Sequence, residues 1–75
     1  MKKIVEVIAT SLVSHAEQVV VTERQEDDTT LVELRVATED MGKVIGRQGR
    51  IAKAIRTVVK AAATRENQRV TVEIV

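Results

Sequence analysis

Two glycines three positions apart, Gly46 and Gly49, with only Arg47 and Gln48 between them, constrain this chain more than any other feature. Val44 and Ile45 precede them, and Ile51, Ile55, Val58, Val59 and Ala62 follow at the spacing of one helical face. Two helices must therefore be joined by this four-residue segment. Glycine suits such a junction because, lacking Cβ, it permits a sharp reversal and the close approach of another backbone. The amides that open the second helix then point outward and favour an anion. Arg47 and Arg50 add positive charge beside those amides, and Gln48 can hydrogen-bond to a phosphate or a base. Other glycine-rich loops fit poorly. A nucleotide P-loop needs four residues between its glycines and a following Lys-Ser/Thr, and a dinucleotide fingerprint needs GxGxxG directly after a strand. A simple glycine stop between helices explains one glycine, but not two flanking a polar, basic pair.

The remaining elements are read from periodicity. Ile4, Ile8 and Leu12, with Val5 beside them, predict an amphipathic helix over about residues 2–14. Val19-Val20-Val21-Thr22 is β-branched throughout and predicts a strand, and Glu26-Asp27-Asp28 supplies a polar turn. Val32, Leu34 and Val36 alternate with Glu33 and Arg35, as in a strand with one buried face. Thr38 is placed to cap a short helix, with Glu39 and Asp40 at its positive end. On the long helix from Arg50, steps of about 100° set Lys53, Arg56 and Lys60 together, opposite the apolar stripe. Val70, Val72 and Ile74 close the chain as a strand. The order is αββααβ, which predicts an α+β fold. Its first two strands form an antiparallel hairpin, the second and third are joined by a right-handed parallel crossover, and all three helices lie on one face of the sheet.

Composition limits what such a chain can do. With 75 residues and no Phe, Tyr, Trp or Cys, the core is thin and has neither a disulfide nor a thiolate metal site to support it. Linkers, repeats and low-complexity segments are absent, so residues 1–75 are taken as one domain. The N-terminal apolar residues alternate with Lys2, Lys3 and Glu6, and no apolar run approaches the ~20 residues of a membrane span. The expectation is a cytoplasmic protein with no membrane partner. Net charge is only +1, but it is segregated. Residues 1–38 hold four Lys/Arg against seven Asp/Glu, whereas residues 39–69 hold eight against three, which points one part of the domain at an anion.

The stretch Val44-Ile45-Gly46-Arg47-Gln48-Gly49-Arg50-Ile51 resembles the pattern V-I-G-x-x-G-x-x-I-x-x-I of the KH family. Val44, Ile45, Gly46 and Gly49 stand in place. Ile51 comes one residue early, and Ala52 and Ile55 keep the apolar face of the helix. The αββααβ order is similar to the type II form of that fold, and the whole length resembles the small bacterial KhpA family. The resemblance implies single-stranded RNA as partner, with about four nucleotides held at the loop. The residues expected to hold it are Gly46, Arg47, Gln48, Gly49, Arg50, Lys53 and Lys43, with Val44, Ile45, Ile51 and Val36 near the bases. It also implies homodimerisation, pairing with a larger KH-containing partner of the KhpB/Jag type, and a role as RNA chaperone or post-transcriptional regulator in cell shape and cell-wall biogenesis. Without aromatic side chains no base can stack on Tyr, Phe or Trp, so affinity for one short segment is expected to be weak and weakly selective.

Three further features have plainer readings. His15 has no nucleophile or second metal ligand at a recognised spacing and reads as a helix-end residue. Glu26, Asp27 and Asp28 lack the spacing and glycine of a calcium loop. No nucleophile, base and orienter occur together, so neither an enzyme nor a cofactor or metal is expected. The alternative functions are a protein-interaction or dimerisation module with secondary RNA contact, and a binder of small phosphometabolites. A shallow aliphatic groove offers little to enclose the latter.

Overall fold

The computed structural model describes residues 1–75. Helix α1 (Lys2–Leu12) is followed by strands β1 (Val20–Glu26) and β2 (Thr29–Arg35), helices α2 (Met41–Ile45) and α3 (Arg50–Arg65), and strand β3 (Arg69–Ile74). Single 3-10 turns span Ala16–Gln18, Thr38–Asp40 and Arg47–Gly49. The fold is α+β with the expected order. β2 is the central strand, antiparallel to β1 and parallel to β3. The hairpin turns at Asp27, whose φ of 53° is one that short polar side chains tolerate.

The register explains the core. Val21, Leu34 and Ile74 lie side by side, as do Val32 and Val72, on the face that meets the helices. Val5 and Ala9 of α1, Val44 of α2, and Ile55 and Val59 of α3 complete one buried cluster. Where the helices rest on the sheet, Ala9, Ala52 and Ala63 are buried, so small side chains allow close approach. Leu31 points to the other face, yet it is only 6% exposed. In register it lies between Arg24 and Thr71, and Arg24 reaches Glu26 at 3.3 Å and Glu33 at 3.9 Å, which holds its aliphatic stem beside the leucine.

Both long helices are rolled relative to expectation. On α1 the buried stripe is Val5 and Ala9, whereas Leu12 of the predicted stripe is 38% exposed. On α3 it is Ala52, Ile55, Val59 and Ala63, and Val58, predicted to be buried, is 49% exposed. A broad apolar arc fits several rotations, and the sheet covers only part of it. Lys53, Arg56 and Lys60 consequently flank the buried stripe on the β3 side instead of standing opposite to it; Arg56 Nε donates to the Val72 carbonyl at 3.4 Å. Thr38 does not cap a helix through its side chain. Hairpin pairing carries β1 on to Glu26 and starts β2 at Thr29, beyond the predicted runs, whereas Val19 and Val36 of those runs lie just outside the strands.

Candidate nucleic-acid interface

The loop is built from left-handed backbone. Gly46 has φ 76° and Gly49 φ 73°, and between them Gln48 adopts φ 57°. The two glycines serve different needs. A Cβ on Gly46 would lie 2.6 Å from Ile51 Cγ1 and 2.9 Å from Ile51 Cβ, so Ile51 packs against the loop backbone where only hydrogen fits. A Cβ on Gly49 would meet nothing within 4 Å, so that position needs glycine for its φ alone. This also explains why Ile51 stands one residue early. It closes on Gly46, while Ala52 and Ile55 are the buried residues of the helix. The Gly46 and Gly49 amides are used internally, donating to the Gly42 carbonyl at 2.9 Å and the Gly46 carbonyl at 3.1 Å. No side chain caps the start of α3.

Arg47, Gln48 and Arg50 are exposed, with Arg50 donating to Gln48 Oε1 at 3.4 Å. Lys53 is exposed one turn further on. None of Arg47, Arg50 and Lys53 has a carboxylate within ion-pair distance, although Lys3, Arg24 and Lys43 elsewhere do. Ile45 is 36% exposed beside the loop. Val44 is wholly buried and Val36 is 7% exposed, so these two shape the floor from within the core. Val36 follows the central strand; the edge strand beside α3 is β3.

Lys43 is engaged elsewhere. Its ammonium lies 3.4 Å from Asp40 Oδ1 and donates to the Ser14 hydroxyl. Asp40, 1% exposed, also accepts from the backbone N–H groups of Ser14 at 3.2 Å and His15 at 2.9 Å. Burial pushes its pKa up, but the bonds from His15, Ser14 and Lys43 outweigh that and hold its carboxyl below the usual value. Asp40 thus fastens the segment after α1 to the start of α2, the helix that leads into the loop. Sequence alone misses this role: the Asp40 to Lys43 spacing is legible on a helix, but partners 25 and 26 residues away are not. His15 lies 3.6 Å from Glu17 and 3.5 Å from Glu39, at the start of the 3-10 turn that follows α1.

An αββααβ chain with a mixed three-stranded sheet, three helices on one face and a GxxG turn between the last two helices is a KH domain of the type II arrangement. The chain belongs to the family described as "KhpA/KhpB, KH domain", whose profile matches residues 2–74. It is similar to proteins named "RNA-binding protein KhpA" from Clostridium perfringens, at 61% identity, and Clostridium acetobutylicum, at 60%, in each case over 100% of both chains. A third so named, from Caldanaerobacter subterraneus, is 55% identical over the same full length. These relatives are named for RNA binding and not for an enzymatic activity. No solved structure matches the chain.

Proposed function

We propose that this chain binds single-stranded RNA, with about four nucleotides held at the Gly46-Arg47-Gln48-Gly49 loop. The observation that carries this reading is an exposed, left-handed glycine loop bordered by the unpaired cations Arg47, Arg50 and Lys53 at a helix start that no side chain caps. Phosphate oxygens take the place of the missing carboxylates, and Ile45 offers an apolar surface to a base. Lys43 contributes only if it leaves Asp40 and Ser14. Relatives named as RNA-binding proteins support the ligand class. In cells, such binding would serve an RNA chaperone or regulator acting in the cytoplasm on cell shape and cell-wall growth.

The double change Arg47→Asp with Gln48→Asp tests it. Both side chains are exposed, so the fold should keep its circular dichroism and lose no more than about 0.5 kcal/mol. Affinity for a labelled single-stranded RNA, read by fluorescence anisotropy, should fall at least tenfold. A folded variant that binds as the parent does moves the RNA site away from the loop.

A dimerisation module is the second reading, and one surface favours it. Ile8, Ile51, Ala54, Ile55 and Val58, with Arg50 at the rim, line a depression of about 380 Å³ between α1 and α3, close to the exposed Leu12. A second copy, or a larger KH-containing partner of the KhpB/Jag type, would cover this apolar face.

A further inference from the structure

The apolar depression between α1 and α3 does not end at Val58. That side chain also lines a second depression of about 480 Å³, with Ala61, Ala62, Arg65 and Glu66. The two run together as one strip along the exposed flank of α3, with Arg50 at one end and Glu66 at the other. Val58, 49% exposed, lies halfway, eight residues from each. Both end residues carry the charge that their own helix disfavours. Arg50 opens α3, where the dipole is positive, and Glu66 follows its last turn, where the dipole is negative. Neither takes part in an ion pair within the chain. Arg65, beside Glu66, has the sign that suits its end.

A second copy of this chain answers both ends at once. Set antiparallel about Val58, it brings Val58 against Val58, Ala54 toward Ala62 and the Arg50 end against the Glu66 end, and the two helix dipoles oppose. A parallel pairing sets like charges together at each end. Each α3 begins at a glycine loop, so the antiparallel pair carries its two loops at opposite ends, with the two Arg50 positions about 24 Å apart along the helices. Four stacked nucleotides at ~3.4 Å spacing cover only about 10 Å between their first and last phosphates, so one tetranucleotide does not reach both loops. We propose that the dimer is an RNA-bridging unit, in which each loop holds its own single-stranded segment and the two segments, of one RNA or of two, are kept at that separation. This rests on the loop as the RNA contact and on a second copy at the α1–α3 face. Two grips joined in one particle offset the weak hold of a single loop without aromatic stacking, because the second forms at high effective concentration.

The experiment mixes the protein with equal amounts of donor-labelled and acceptor-labelled tetrauridine, which do not pair with each other, so that energy transfer reports two strands on one particle. For the parent, transfer should rise in step with the dimer fraction read by light scattering. Val58→Glu should bind tetrauridine within about twofold of the parent by anisotropy, since it lies away from the loop, and give no transfer. Should it lose the parent's circular dichroism, Ala54→Glu, also at an exposed position, takes its place with the same expectation. The chain has no cysteine, so Val58→Cys reads the register. On mild oxidation it should crosslink to its partner copy, whereas Ala54→Cys, displaced about 6 Å from the axis in each copy, should not. The proposal is overturned if a dimeric parent that binds tetrauridine gives no transfer, or if transfer persists in the monomeric variant. Equal crosslinking of both cysteine variants overturns it too, since it marks a parallel pair with its loops side by side. The two underlying readings fail separately: a parent that stays monomeric removes the second copy, and an Arg47→Asp with Gln48→Asp dimer that binds tetrauridine as the parent does removes the loop.

Discussion

An alanine at Gly46 must place its Cβ 2.6 Å from a branched side chain while holding φ near 76°. The left-handed backbone alone costs an L-residue about 1–2 kcal/mol, and crowding Ile51 adds a similar amount. We expect Gly46→Ala to lose about 2–4 kcal/mol in urea denaturation and Gly49→Ala only about 1–2, since the latter meets no neighbour. Equal losses would mean that Ile51 yields freely. Gly42 behaves in the opposite way. It lies inside α2, without positive φ and with open space at its Cβ, so Gly42→Ala should stabilise the fold by about 0.5–1 kcal/mol. The Asp40 carboxyl is held below its unfolded value near 3.8, so its contribution is complete above that pH and is lost as the pH falls through the folded value. Stability measured from pH 7 down to pH 3 should therefore drop more steeply for the parent than for Asp40→Asn. Parallel acid limbs would show that the carboxylate's charge is not what these partners bind.

Among the elements, α3 has three distinct sides. Its buried stripe of Ala52, Ile55, Val59 and Ala63 anchors the helix on the sheet, and Ile55→Ala should cost about 2–5 kcal/mol by leaving a cavity. The flank toward α1 carries the exposed Ala54 and Val58, and the flank toward β3 carries the exposed Lys53, Arg56 and Lys60. Val58→Glu, at a position 49% exposed, is expected to leave monomer stability within about 0.5 kcal/mol. If the α1–α3 face holds a second copy, light scattering across a dilution series should show a dimer for the parent and a monomer for this variant. A parent that stays monomeric at high micromolar concentration removes the homodimer.

For the molecule as a whole, only 15 of 75 residues are buried, so stability should lie toward the low end of the ~0.05–0.15 kcal/mol per residue typical of domains. No helix is long and apolar enough to cross a membrane. RNA affinity should fall with salt along a shallow line, with a log–log slope of about −1.4 to −2.8 for two to four phosphates on a single strand. A salt-independent affinity would point to the apolar floor as the sole source of binding. The element order, the hairpin and the GxxG junction are legible in the amino acids because their causes are local: apolar period, β-branched runs, and the need for glycine where φ is positive. Arg47, Gln48 and Arg50 are legible as exposed for a similar reason, since a turn between two helices leaves its polar residues outside. The roll of α1 and α3 is not, because a wide apolar arc fits several rotations and the area of the sheet selects one. The same packing left Val58 in solvent and turned Arg56 and Lys60 toward β3. It also buried Asp40 against backbone amides 25 and 26 residues earlier and drew Lys43 to it, a pairing across chain-distant segments that no local spacing encodes.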